Sequence, residues 1–242
     1  MTTMINNEIT GYWLKQKTAG ECYLNQSDFA VYIDPNMDED YLAIAIQEKN
    51  KYWLSLHPQL CEKLSIRPEL TRETVKSLCK NLATQWHGAD QFFYFSQEAL
   101  SKLQQQKISS HIRALNSNDA AVFQSFCEAC SEEDLDGASV ELNHWLIYGL
   151  FSNEQLVAVA SMYPWDDSQL SIADLGVLTL SEHRGKGYAR ELVSAICQIA
   201  WEKGYQPQYR CQLDNKASLM LASSLDLIPY IQWDVIVRPD IE

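Results

Sequence analysis

The sequence predicts an α/β (α+β) protein in two parts, and three observations carry that prediction. From residue 108 onward, apolar runs and amphipathic stretches alternate in the order β-α-β-β-β-α-β-α-β. One of those strands runs directly into a glycine-bearing loop and a helix, over 172–200. The polar stretch LQQQKISS at 103–110 is the main shift in composition, and it sets the expected boundary: an N-terminal α/β domain over 1–110 and a second domain over 111–242.

In the first part, FAVYI at 29–33 has strand character and is closed by the turn-like DPNMDED. Val75, Leu78, Cys79 and Leu82 fall at the i, i+3, i+4, i+7 spacing of one helical face, so a helix is expected over 73–86. QFFYF at 91–95 reads as a short buried strand, and the segment after it as a helix capped by Ser96. In the second part, HIRAL gives a strand. NSNDAAVFQSFCEAC gives a helix with Val122, Phe123, Phe126, Cys127 and Cys130 on its apolar face. The acidic residues Glu132, Glu133, Asp134 and Asp136 are expected in a solvated loop, with recognition of a cationic amine as the alternative. WLIYGLF and LVAVASMY, separated only by residues 152–155, form a hairpin, and IADLGVLTL is the next strand. Ala189, Leu192, Val193, Ile196 and Ala200 mark a helix that stops at Lys203-Gly204. YRCQL, a helix over 217–224 and YIQWDVIV complete the chain.

Composition narrows the function. Thirty-two Asp and Glu against nineteen Lys and Arg give a net charge of −13. That field repels a phosphate backbone and attracts cations such as amines, so no nucleic-acid partner is expected. No window reaches the roughly 18 apolar residues of a membrane span, and MTTMINNEIT lacks the features of a secretory signal, so a cytoplasmic protein without a membrane partner is expected. The seven cysteines are odd in number and scattered, as in a chain of reduced thiols. Cys127 and Cys130 form a single CxxC without the further ligands that a structural zinc needs, so both are read as core and no metal is expected.

Against this acidic background, TLSEHRGKGYAR at 179–190 is locally basic. A strand, a glycine loop and a helix together make an anion site: the first-turn N–H groups lack intrahelical partners, the helix dipole adds positive potential, and glycines admit a bulky phosphate. A GxGxxG fingerprint would need glycine where Arg190 stands, and a P-loop would need Lys followed by Ser or Thr. Neither fits.

Arg184, Gly187 and Ala189 do fit R/Q-x-x-G-x-G/A, and the loop resembles that of the GNAT superfamily of acyl-CoA-dependent N-acetyltransferases. NKAS at 215–218 followed by LASSLDLIPY resembles the second cofactor segment of that family. The resemblance covers about 108–238 and points to a bacterial branch carrying an extra N-terminal half. It implies a mixed, mostly antiparallel central sheet flanked by helices. It also implies acetyl-CoA as cofactor, its pyrophosphate on the backbone of Gly185, Lys186, Gly187, Tyr188, Ala189 and Arg190. The pantetheine arm would lie along Val177, Leu178 and Thr179, with Asn215 and Ser218 near the sulfur end.

The implied reaction is direct attack of an amine on the thioester, which calls for a base. Asp174, on the strand leading to the loop, is the first candidate; Glu141 and His144 are the rivals. His183 is read as shaping the turn. The family often has a Tyr that protonates the departing thiolate, but counting from Asn215 this chain has Ala222, leaving water, Tyr188 or Tyr230, or departure of the thiolate unassisted. Asp226 stands where a glycine is usual. The acceptor is expected to be a small-molecule or protein amine, cationic in keeping with the charge, and a homodimer is allowed for. A second reading keeps the fold and the acyl-CoA site as a non-catalytic regulatory module.

Overall fold

The computed structural model describes residues 5–63, 73–74, 77, 86–166 and 171–238. The chain forms two compact units. One is principally Phe93–Arg210 with Lys216–Ile228, the other principally Asn7–Phe92 with Cys211–Asn215 and the C-terminal strand. The chain passes from one to the other at Phe92/Phe93, and its last strand belongs with the N-terminal elements.

That second unit comprises α1 (Asn7–Lys17), β1 (Glu21–Asn25), β2 (Phe29–Ile33), β3 (Tyr41–Glu48), β4 (Lys51–Leu56), α2 (Pro58–Lys63) and the C-terminal β11 (Ile228–Val237). Its strands run in the order β1-β2-β4-β3-β11, antiparallel except for β2 against β4. Phe29, Val31, Ala43, Leu54, Leu56, Leu60 and Ile236 form the core. Lys17 is buried; its ammonium pairs with Glu48 and lies over the Trp53 ring, so its charge is met inside. FAVYI matches β2 residue for residue. Of the helix expected over 73–86, Glu73, Thr74 and Ser77 are helical, whereas Val75, Leu78, Cys79 and Leu82 lie outside the described residues.

β5 (Asp90–Tyr94) leads into the other unit, which carries the glycine loop. There follow α3 (Gln97–Leu103), β6 (Ile112–Ala114), α4 (Ala120–Glu128), α5 (Glu132–Ala138), β7 (Leu146–Ser152), β8 (Gln155–Pro164), β9 (Ile172–Thr179), α6 (Tyr188–Glu202), β10 (Gln206–Gln212, its first five residues in this unit) and α7 (Lys216–Ser224). Ser96 caps α3 as expected, its Oγ accepting from the Ala99 N–H at 3.0 Å. The β7–β8 turn has Asn153 and Glu154 at φ +50° and +66°, the paired left-handed geometry of a tight hairpin. Gly204, at φ +86°, ends α6, and the Tyr205 N–H closes back on the Ala200 carbonyl.

The strand order is β6-β7-β8-β9-β10, antiparallel except for the last pair. This is the mixed, mostly antiparallel sheet that was expected, flanked by α6 across β7, β8 and β9, and by α4 and α5 against β8 and β9. Two local expectations are corrected. Glu132–Ala138 is helix α5, not a loop: Ser131 caps it, and three acidic residues in its first turn suit the positive end of the dipole. Val122, assigned to the apolar face of α4, is exposed, while Phe126 is buried with Leu115, Val159 and Leu178.

Candidate active site

The ladder between β9 and β10 covers only Ile172↔Gln206 to Asp174↔Gln208. Beyond it, among the described residues, β9 from Leu175 to Thr179 has no ladder partner on its β10 side. The chain then passes a short 3₁₀ turn, Ser181–His183, and enters α6 through Gly185 and Gly187 at φ +75° and +84°. A Cβ added at either glycine would meet nothing within 4 Å. The requirement for glycine is therefore conformational, and the space around both positions is open. No side chain caps α6. Its first N–H groups and dipole are left to an outside acceptor.

The three basic residues of the loop divide their work. Arg184 Nε donates to the Thr179 carbonyl at 3.1 Å and its Nη2 pairs with Asp134 Oδ1 at 2.8 Å, tying the loop to the end of β9 and to α5. Bonds from Ser131 and Arg184 hold the Asp134 carboxyl below its usual range. Lys186 Nζ lies 3.4 Å from His183 Nδ1. Arg190, in the first turn of α6, is exposed. The Thr179 hydroxyl is buried without a hydrogen-bond partner among the described residues. An orphaned hydroxyl beside an unpaired strand edge and an uncapped helix start suits an anionic ligand with a polar arm. Val177 is half-buried and Leu178 is in the core. Ser218 is in the first turn of α7, and the Asn215 N–H bonds the Gln212 carbonyl just before that helix.

A second polar cluster lies further back on the same strands. Asp174 is 1% exposed. It accepts from the Tyr163 hydroxyl at 3.0 Å, from Gln208 Nε2 at 3.0 Å and from Arg210 Nε at 2.8 Å. Gln208 in turn accepts from the Tyr94 hydroxyl, and the Arg210 guanidinium lies over Trp165. Both Asp174 oxygens are engaged, so this carboxylate ties Tyr163, Gln208 and Arg210 together. Burial, and then the Asp174 charge, push the Tyr163 phenol up to about 12.

His144 approaches from the loop before β7. Its Nδ1 is 2.8 Å from Ser161 Oγ, its ring packs against Tyr163 at 4.7 Å, and its Nε2 is 3.9 Å from Glu141 Oε2. Burial pushes the imidazole below its ordinary value, with Glu141 opposing. Ser161 pairs across to Gly176, so the imidazole belongs beside the segment of β9 that has left β10. Gly176 itself faces the end of α5: an added Cβ would come within 2.1 Å of the Ala138 carbonyl, so only glycine lets the end of α5 lie so close. Trp145 stacks on Tyr205 at 4.9 Å and secures the same loop.

Other candidates have different settings. Ala222 is completely buried. The Tyr188 hydroxyl is 3.5 Å from Ser152 Oγ, and Tyr230 lies in β11 of the other unit. Burial raises the Cys197 thiol strongly and takes Cys211 up to about 11, which suits neither to attack as a thiolate. Among the described residues, no group of three or more His, Cys, Asp or Glu is placed to hold a metal, and no helix is long and apolar enough to cross a membrane.

The sequence model of the acetyltransferase (GNAT) family matches residues 117–225. No curated protein matches the sequence. Among solved structures, an acetyltransferase from the GNAT family from Colwellia psychrerythraea has a TM-score of 0.51 at 13% identity, covering 89% of this chain and 80% of that one. A GCN5-related N-acetyltransferase-like protein from Streptococcus suis 89/1591 has a TM-score of 0.45 at 16% identity, with 95% and 93% covered. For a GNAT-family protein from Novosphingobium aromaticivorans DSM 12444 the TM-score is 0.47 at 16% identity, and the match covers 64% of this chain and 66% of that protein. At such identities the likeness to the first of these is one of fold alone.

Proposed function

We propose, from the match of residues 117–225 to the sequence model of the GNAT acetyltransferase family, that this chain moves an acetyl group from acetyl-CoA to a primary amine. The observation that carries the reading is the uncapped start of α6, with two left-handed glycines before it and the unpartnered Thr179 hydroxyl beside it. Acetyl-CoA held there supplies a thioester carbonyl open to a nucleophile. The N–H groups from Gly185 to Arg190 and the α6 dipole hold its diphosphate. The unpaired edge of β9 from Val177 to Thr179 binds the pantetheine amides and aligns the carbonyl, and Ser218 is kept as a further contact.

The proton falls to His144. With Nδ1–H donating to Ser161 Oγ, Nε2 carries the free lone pair and takes the proton from the incoming amine, directly or through one water. Glu141, near that nitrogen, steadies the imidazolium once it forms. Asp174 acts at one remove: it fixes Tyr163, against which the His144 ring packs. The thiolate leaves without a dedicated acid, which a thiol of pKa about 8.5 permits near neutrality. The −13 charge favours a cationic acceptor.

The test is release of free thiol from acetyl-CoA over a panel of polyamines, aminoglycoside-type amines and peptide amines. Amine-dependent release is expected for at least one class. Thiol release that no amine raises, with acetyl-CoA demonstrably bound, would favour the non-catalytic acyl-CoA module to which Ala222 lends support.

A further inference from the structure

Cys127 and Cys130 take no part in the chemistry above. Both thiols are free and half-buried, Cys127 in the last turn of α4 and Cys130 in the bend that follows it. The Cys130 N–H bonds the Cys127 carbonyl at 3.0 Å, so the helical path carries on through the pair. At that spacing two Cα atoms stand about 5 Å apart. A disulfide asks for roughly 4.4–6.8 Å, so a bridge can close without unwinding α4. Both side chains pack against the same apolar cluster, which puts the sulfurs on one face.

Cys130 is joined to the cradle by an unbroken chain of contacts within the same compact unit. Its neighbour Ser131 caps α5, accepting from the Asp134 N–H at 3.2 Å and donating to Asp134 Oδ2 at 2.8 Å. Asp134 Oδ1 holds Arg184 Nη2 at 2.8 Å, and Arg184 Nε holds the Thr179 carbonyl at 3.1 Å. The charges of Asp134 and Arg184 both reach the Cys130 thiol. An S–S bond of about 2 Å is shorter than any contact between two thiols, so closure must draw the sulfurs together. Cys130 must also give up the bond from its Sγ–H to the Phe126 carbonyl, at 3.2 Å. With no residue between Cys130 and the cap, that movement falls on Ser131 and Asp134.

We propose that Cys127 and Cys130 are a redox-active dithiol whose closure to a disulfide loosens the cradle through Ser131, Asp134 and Arg184. The oxidant is a small disulfide. One cysteine thiolate attacks it, the S–S bond of the small disulfide breaks, and one small thiol leaves with the proton that the cysteine gave up. The second cysteine then attacks the mixed disulfide in the same way and expels the second small thiol. One small disulfide thus becomes two thiols, and two electrons leave the protein. Burial raises both cysteine thiols above their ordinary value, so the exchange is slow and is read at equilibrium. The control of affinity rests on the acyl-CoA reading above; the dithiol itself does not.

To test this, the full chain is equilibrated in glutathione buffers from wholly reduced to wholly oxidised, its disulfides are mapped by peptide mass spectrometry, and acetyl-CoA is titrated by calorimetry. A bridge between Cys127 and Cys130 is expected in the oxidised buffer, with acetyl-CoA bound about tenfold more weakly and the affinity restored by dithiothreitol. The double variant Cys127→Ser, Cys130→Ser should bind acetyl-CoA as the reduced native chain does, in either buffer; Cys127→Ala, Cys130→Ala serves if the serines disturb the core. Because Cys22 is also exposed, these variants separate closure of the pair from modification elsewhere. A pair that stays reduced or carries only glutathione, or a mapped bridge with undiminished affinity, would overturn the proposal and leave the acyl-CoA reading standing. A reduced chain that binds no acetyl-CoA would sink the acyl-CoA reading and the control of it together.

Discussion

His144 and Asp174 stand on neighbouring parts of one polar cluster and are set up for opposite tasks. The imidazole is half-buried, shifted toward its neutral form by desolvation, and bonded through one nitrogen only. The carboxylate is wholly buried and bonded by three donors. His144→Gln is therefore expected to lower kcat by about 10²- to 10⁴-fold with acetyl-CoA affinity unchanged. Because burial depresses the His144 pKa, the neutral, proton-accepting form persists to lower pH than for a free histidine. The acid limb of kcat/KM should then have its midpoint below about 6.5, rate being lost as pH falls through it. Asp174→Asn should act mainly on stability. It leaves the partly exposed Arg210 guanidinium short of its partner and costs about 2 kcal/mol, read as a lower Tm, while turnover stays within about tenfold. Loss of turnover without loss of stability would return Asp174 to the role of base. The sequence singled out Asp174 and His144 as residue types able to do this chemistry. Tyr163, Gln208 and Arg210 were not legible there, because only the sheet register, across tens of residues, brings them to Asp174.

Among the elements, periodicity was the reliable guide. The hairpin over 146–164, β9 and α6 were legible because alternation, a 3.6-residue repeat and Gly204 each left a local mark. α5 was not: a run of four acidic residues in seven reads as solvated loop unless the Ser131 cap is given weight. α1 was missed for a similar reason, since it buries only Ile9, Trp13 and Lys17 within a polar sequence, and one of those is a charged residue whose partner lies 31 positions away. Gly176 shows the limit of local reasoning most clearly. Its φ is ordinary for a strand, and the need for glycine comes from the end of α5 arriving within reach of its missing side chain. Gly176→Ala should therefore cost about 1–3 kcal/mol in chemical denaturation, since two packed backbones must separate. An unchanged midpoint would mean that the end of α5 does not pack closely on β9 at Gly176.

At the scale of the whole molecule, the division into compact units departs from sequence order. β11 is the last strand of the chain, yet it pairs with β3 from Gln232↔Gln47 to Val237↔Tyr41. The compact units divide at Phe92/Phe93, and the polar stretch at 103–110 lies inside one of them. No local signal could reveal that, because long-range strand pairing leaves no trace in composition. The charge distribution was legible at this scale: a chain of net charge −13 keeps Arg184, Lys186 and Arg190 around one helix start. The structure refines that picture, since Arg184 is turned inward to Thr179 and Asp134, so the backbone N–H groups, the dipole and the exposed Lys186 and Arg190 remain to attract an anion. The central claim is that this helix start holds an acyl-CoA. Calorimetric titration of the full chain with acetyl-CoA tests it most directly: saturable binding at one site per chain, with micromolar affinity on the order of −8 kcal/mol, is the predicted result. No saturable heat at millimolar acetyl-CoA would contradict it.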